Sequence, residues 1–394
     1  MVEVRLADRM SIIGTETAFE VGIRVAGLEK QGKKITKLHI GQPDVPTPEN
    51  VKQAGIRAIQ ENKIGYTTAN GVFELRQAVC DDIKKTRGIQ PDPDGIVITP
   101  GGKPILYMAA MTLLQPGDEA IVPNPAYPIY DSACRFAGAK VVGLPLTEET
   151  GFRFDHEVFK SKVSSKTKLV VMNTPANPTG GTLAREDFKL VRDLALDNGF
   201  MVLSDEIYSR IVYEGEHESI YAFPELVDQV ILLDGWSKTY AMTGWRLGYG
   251  VMPKALAKAF TTMAINIYSC VSNFTQYAAI EALKGPQDSV TKMVGEFDAR
   301  RKLIIKLLND VPGVSCVMPK GAFYAFPNVK KVCEKSGMTS KQLEEFLLQK
   351  HDLAVLTGTS FGTLGEGYLR FSYAASQDTI REGVEKMRKA FESF

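Results

Sequence analysis

Five short runs in the middle of the chain are apolar almost without interruption: residues 96–99, 119–122, 168–172, 200–203 and 229–233. A strand with one wet face alternates apolar and polar residues, whereas a strand covered on both faces does not. Amphipathic stretches such as 104–114, 184–198 and 253–263 separate the runs. Together they predict an α/β unit, a parallel sheet with helices on both faces. In such a unit chemistry collects beyond the carboxyl ends of the strands, so the residues that follow each run are the ones that matter.

The texture changes after about residue 282. A charged stretch at 288–309 reads as a long helix, an aromatic run ends at Pro327, and helical patterns at 339–350 and 377–391 flank Tyr368-Leu-Arg-Phe-Ser372. This α+β pattern predicts a second, smaller unit. Upstream, Gly41-Gln-Pro-Asp-Val-Pro-Thr-Pro48 cannot be helical and reads as a linker. The expected division is an N-terminal segment 1–45 joining the small domain, a large domain 46–285 and a C-terminal small domain 286–394. A length of 394 residues accommodates this, at roughly 150 residues per domain.

Composition excludes several classes. Lys and Arg number 47 against 46 Asp and Glu, a net charge of +1 with no basic stripe, which argues against nucleic acid as a partner. No apolar run approaches the roughly 18 residues that span a bilayer. The first ten residues carry Glu3, Arg5, Asp8 and Arg9 and lack the apolar core of a signal peptide. The five cysteines are scattered and never spaced as CxxC, so reduced thiols in a cytoplasmic protein are expected. The four histidines form no ligand spacing, and no metal is expected.

The densest chemical signal is Asp234-Gly-Trp-Ser-Lys238-Thr-Tyr-Ala-Met-Thr-Gly-Trp-Arg246-Leu-Gly248, which holds both tryptophans of the chain. A lysine placed just after a buried strand and among aromatics is partly desolvated, which lowers its pKa and frees a nucleophilic amine. The competing reading is a surface lysine whose stem covers apolar rings. Two more runs end in polar groups. Asn173-Thr-Pro-Ala-Asn177-Pro-Thr-Gly180 presents Asn177 from a rigid loop, and Ser204-Asp205-Glu-Ile-Tyr208 follows the next run. An Asx turn for Asn177 and a helix N-cap for Asp205 are the bland alternatives. Finally, Pro100-Gly-Gly-Lys103 precedes Pro104, a residue suited to the first turn of a helix, whose free N–H groups bind anions.

In this order the segments resemble those of the class I/II pyridoxal-phosphate-dependent aminotransferases of fold type I, from Gly41-Gln-Pro-Asp44 to Gly367-Tyr-Leu-Arg370. The resemblance implies a large cofactor-binding domain with a mostly parallel seven-stranded sheet, and a smaller α+β domain. It also implies pyridoxal 5'-phosphate as cofactor. Lys238 would hold it as a Schiff base and then move the substrate Cα proton. Asp205 would keep the pyridine nitrogen protonated, and Asn177 and Tyr208 would bond the ring oxygen. Gly102, Lys103, Ser237 and Arg246 would hold the phosphate, and Tyr127 would stack on the ring. Arg370 and the backbone at Gly41 would receive the substrate α-carboxylate. Tyr66 resembles the tyrosine that reaches the phosphate of a neighbouring subunit, which implies a homodimer with shared sites.

The substrate reading follows from two features. No arginine lies between Arg246 and Arg300, so the arginine that one subgroup uses for dicarboxylates is missing. The Gly-Gly-Lys loop is similar to that of an aspartate aminotransferase-like subgroup in which the lysine reads the distal carboxylate. Lys103 is thus the expected reader, with aspartate as donor and 2-oxoglutarate as acceptor in a ping-pong reaction. Pro104 and Gly235 depart from the family pattern, the latter where many members carry a phosphate-binding serine. Its hydrogen bond would be lost or replaced by Ser237, at about 1 kcal/mol. Alanine, aromatic or other neutral donors, and a β-lyase or cyclopropane-forming synthase on the same cofactor, are the alternatives. A non-catalytic regulator domain fits poorly, because Gly41-Gln-Pro-Asp44 begins too early for a preceding DNA-binding segment.

Overall fold

The computed structural model describes residues 4–394. Residues 1–3, which begin the N-terminal segment and include Glu3, lie outside the described residues. The main sheet has seven strands, numbered here in chain order: β1 Ile96–Thr99, β2 Glu119–Asn124, β3 Lys140–Pro145, β4 Thr167–Asn173, β5 Met201–Asp205, β6 Val230–Gly235 and β7 Gly248–Val251. Their spatial order is β1-β7-β6-β5-β4-β2-β3. Only β7 runs antiparallel to its neighbours, so the other six point the same way.

Strand pleating explains why the runs do not alternate. Ile96, Ile98, Val170, Met172, Val202 and Leu232 pack on one face against the helices Phe73–Arg87, Arg185–Asn198 and Asn273–Lys284. Their neighbours Val97, Leu169, Val171, Leu203, Ile231 and Leu233 pack on the other, under Lys103–Leu113, Ile129–Phe136 and Lys254–Ile267. With both faces buried, every position is selected to be apolar.

A third core gathers Phe297, Ile304 and Leu308 of the helix Asp288–Asn309, Leu343 and Leu347 of Ser340–His351, and Ile380, Val384 and Met387 of Gln377–Glu392. These helices cover the small sheet Leu356–Thr357, Leu369–Ser372 and Tyr324–Ala325. The chain's beginning joins this core: Thr36–Lys37 pairs in parallel with Leu353–Ala354, and Leu38 packs inside.

Two strands of the main sheet left no apolar run. β3 lies at the sheet edge and is half-exposed, so it has one wet face. β7 reads Gly-Tyr-Gly-Val, and its glycines are required by close approach. A Cβ on Gly248 would lie 2.6 Å from the Gly101 carbonyl carbon and 2.7 Å from the Gly102 nitrogen. Gly235, opposite Gly248 in the β6–β7 register, is equally confined: its Cβ would lie 2.9 Å from Gly248 Cα. A serine at 235 therefore has no room, which accounts for that departure from the family pattern.

Gly248→Ala should lower stability by about 1–3 kcal/mol, because the obstructing atoms are backbone. Gly295→Ala, within Asp288–Asn309 with open space around it, should be neutral or slightly stabilising. Denaturant titration of both variants checks this.

Candidate active site

Six co-directional strands deliver their carboxyl ends to one edge, and the polar residues singled out above follow those ends. Asp205 closes β5, where its Oδ2 accepts from Tyr130 Oη at 2.7 Å and its Oδ1 from the Ile207 N–H at 3.1 Å. Burial pushes this carboxyl up to about 6, against those two hydrogen bonds, and the neighbouring Asp234 and Glu206 push the same way. Asn173, at the end of β4, ties two segments together. Its Nδ2 donates to the Asp205 carbonyl at 3.0 Å, and its Oδ1 accepts from the Asn177 N–H at 2.8 Å.

Lys238 sits on the one-turn helix Trp236–Thr239 directly after β6. Its Nζ donates to the Gly41 carbonyl at 2.7 Å, across from the linker. Burial lowers this amine to about 8. Glu16 opposes the shift, while Arg370, Arg246 and Lys103 reinforce it. Ser237 is buried on the same turn.

The small sheet supplies the opposite wall. Arg370 is buried, its Nη1 donating to Asn177 Oδ1 at 3.0 Å and its Nη2 to the His39 carbonyl. The guanidinium is sandwiched between Tyr324 at 4.5 Å and Phe361 at 4.8 Å. Its Nε has no hydrogen-bond partner among the described residues. A buried N–H left unpaired costs on the order of 1–3 kcal/mol, and a bound anion would recover it. Tyr324 also shares a 2.7 Å hydrogen bond with Tyr208, hydroxyl to hydroxyl. Its hydroxyl lies where a Cβ on Gly41 would stand, so only glycine fits at 41.

On the main-sheet side, beside the ends of β5 and β6, lies a charged cluster. Arg87, from the end of helix Phe73–Arg87, donates to Glu206 Oε2 at 3.0 Å and Asp234 Oδ2 at 2.7 Å, all three buried. Although burial alone raises a carboxyl, His217 and Arg87 bring Glu206 down to about 2. The cluster fastens the residue after Asp205 to the penultimate residue of β6, four before Lys238.

At the mouth, Arg246 adopts a left-handed backbone (φ 59°) and reaches Pro100 O at 3.3 Å beside the Gly101–Gly102 turn. A Cβ on Gly101 would fall 2.4 Å from its Nη2. The helix Lys103–Leu113 starts here with Pro104 in its first turn, and the Gly102 and Lys103 amides at its start have no backbone acceptor among the described residues. Lys103 Nζ pairs with Glu16, and Tyr127 Oη donates to the same Glu16 oxygen at 2.6 Å. A cavity of about 680 Å³ adjoins the site only through Pro100 and Arg246; half of its lining comes from residues 268–275, where a turn leads into the helix Asn273–Lys284. Tyr66 stands apart, 93% exposed.

Of the residues expected from the sequence, Gly41, Asn177, Asp205, Tyr208, Lys238 and Arg370 form one linked constellation. Gly102, Lys103, Tyr127, Ser237 and Arg246 rim it, and Tyr66 does not reach it within one chain. Sequence reasoning missed Tyr130, Tyr324, Glu16, His39 and the Arg87 cluster. Tyr130 lay three residues after Tyr127 and Tyr324 in the aromatic run; Glu16 carried no local signal.

Two measurements check this electrostatic account. In cofactor-free protein, acylation of Lys238 by a small amine-selective reagent, read by peptide mass spectrometry, should have its midpoint near pH 8. The amine reacts only when neutral, so reactivity falls below that pH; a midpoint near the ordinary 10.5 contradicts it. Arg87→Met removes the guanidinium shared by two buried carboxylates, leaving Glu206 only His217 and serine hydroxyls and Asp234 only Ser209 and the Gly235 N–H, and should cost about 3–5 kcal/mol in denaturant titration, partly restored by adding Glu206→Gln.

Comparison with known proteins agrees with this arrangement. A family model described as aminotransferase class I and II matches residues 33–387. The aspartate aminotransferase of Pyrococcus horikoshii is 39% identical over 390 residues, covering 98% of this chain and 97% of that protein. The solved aspartate aminotransferase of Rhizobium meliloti superposes with a TM-score of 0.94 at 33% identity, covering 99% of both chains. The solved alanine aminotransferase of Pyrococcus furiosus gives 0.92 at 31%, covering 99% of this chain and 100% of that one. The chain therefore belongs to the class I and II aminotransferases, and it is a transaminase.

Proposed function

We propose that this chain uses pyridoxal 5'-phosphate to move the amino group of aspartate to 2-oxoglutarate in two half-reactions. The observation that carries the reading is the linked set Lys238, Asp205, Asn177 and Arg370, drawn from four segments and mostly buried. The cofactor fits the groups present. Two amides and the Arg246 guanidinium suit a phosphate, the buried Asp205 suits a pyridine nitrogen, and Lys238 suits an aldehyde. When bound, the cofactor supplies a sink for negative charge at the substrate Cα.

The residues then divide the work. Arg370 receives the α-carboxylate with the donor capacity left at Nε, and Asn177 keeps the fork in plane. Lys238 Nζ, neutral above about pH 8, takes the Cα proton and returns it. Asp205 holds the proton of the pyridine nitrogen, oriented by Tyr130 and Ile207. A cation facing it reverses the burial-driven rise and keeps it ionised. Tyr208 and Asn177 would hold the ring oxygen, Tyr127 would cover the ring, and Gly102, Lys103, Ser237 and Arg246 would hold the phosphate. Gly41 offers its backbone to the substrate carboxylate.

The division into 1–45 with 286–394 and 46–285 remains our proposal for the two domains, with this site between them. We also propose a cytoplasmic homodimer. Tyr66 and Ile64, 93% and 66% exposed, flank Gly65, whose carbonyl accepts from Asn273, and the exposed Ile265 and Ile267 precede the cavity-lining Tyr268, so both segments leave apolar surface near the cavity. A second subunit would cover that surface and bring Tyr66 to the phosphate of its neighbour. No helix among the described residues is long and apolar enough to cross a membrane.

Aspartate is favoured because Lys103 stands at the mouth on the Gly-Gly-Lys loop, and because aspartate aminotransferases are among the similar proteins. Neutral donors are the second reading, favoured by the pairing of Lys103 with Glu16. Loaded enzyme should show a visible band that is absent in Lys238→Ala. Rapid loss of the band with aspartate or glutamate, and recovery with 2-oxoglutarate, is expected. Loss only with alanine or aromatic donors overturns the substrate. No loss with any common donor, with the colour intact, points to a specialised donor or to lyase chemistry.

A further inference from the structure

Glu16 immediately precedes the helix Thr17–Lys30, yet its side chain turns inward and is only 19% exposed. One carboxylate oxygen takes both the Lys103 ammonium and the Tyr127 hydroxyl. Phe19, three residues on, places its ring 5.5 Å from the same ammonium. The N-terminal segment thus sets a carboxylate and an aromatic ring against the Lys103 ammonium, whose side chain stays 44% exposed. It is held on the other side of Glu16 by Gly14, whose N–H donates to Ser132 Oγ at 2.8 Å. The negative charge of Glu16 also acts on Lys238, Arg370 and Tyr324.

We propose that Glu16 is a built-in competitor that occupies the distal-carboxylate position on Lys103, so that a dicarboxylic donor binds only by displacing it. This rests on the reading of Lys103 as receptor for that carboxylate. A neutral donor leaves the Lys103–Glu16 pair intact. Aspartate or glutamate must break a charge-assisted contact and push a like charge aside. Affinity is then reduced by the fraction of molecules in which Lys103 is free. Glu16 accordingly sets the ratio of dicarboxylic to neutral donors, and it does so from a segment that supplies no proton donor or acceptor to the reacting carbon.

The test compares binding of two unreactive acids to the loaded enzyme by calorimetry: succinate, with two carboxylates, and butyrate, with one. In Glu16→Gln the ratio of dissociation constants should shift about tenfold toward succinate, the scale of one lost charge-assisted contact. Glu16→Ala should shift it the same way. The half-reaction preference for aspartate over alanine should move in parallel. An unchanged ratio in both variants overturns the proposal. Lys103→Met separates the two levels of the argument. If it abolishes the succinate preference while the Glu16 variants leave it unchanged, only the role of Glu16 fails. If the preference survives Lys103→Met, the reading of Lys103 fails and the role of Glu16 with it.

Discussion

Arg87 bridges Glu206 and Asp234 at the carboxyl edge of the sheet, and the site is assembled on that clamp. One neighbour of the clamp is Asp205; on the other side, the turn after Asp234 carries Lys238. Parallel strands alone place their ends at one edge without fixing how the emerging loops lie. Three buried charges must satisfy one another within hydrogen-bond distance, and that requirement leaves the loops little freedom. The same burial that makes Arg87 indispensable also lowers the Lys238 amine and raises the Asp205 carboxyl.

Opposite pKa displacements in these two groups follow from one cause. A buried site disfavours every charge, so an amine tends to lose its proton and a carboxyl tends to keep it. Both groups become reactive near neutrality. Arg370 escapes neutralisation because Tyr324 and Phe361 lie against its guanidinium and its fork is tied to Asn177 and His39, which keeps a charged group in an apolar wall. His39 itself is brought down to about 4, by burial first and then by Arg370, so it adds no second positive charge there.

Glycines do comparable work on the backbone. Gly41, Gly101, Gly235 and Gly248 each stand where a Cβ would meet another group within hard-contact distance. They bring the linker against Tyr324, and β7 against the Gly101–Gly102 turn. The departure at Gly235 is thus a packing solution: the β6–β7 register leaves no space for a serine, whatever a phosphate would gain from one.

The sequence by itself determined the α/β sheet, because strands buried on both faces must be apolar at every position, as in residues 229–233. It also determined the chemical constellation, because Asn177, Asp205 and Lys238 each follow such a run closely and one edge collects them all. Arg370 was legible as a charge on an otherwise apolar strand. The edge strand β3 and the glycine-rich β7 were not legible, since neither carries an uninterrupted apolar run. Only the tertiary structure decided which distant groups meet: Tyr130 with Asp205, Tyr324 with Tyr208 and Gly41, Arg87 with two carboxylates, Glu16 with Lys103. These pairings join segments far apart in the chain, so no local pattern records them. Their energies come from shared burial, which exists only once the fold has closed around them.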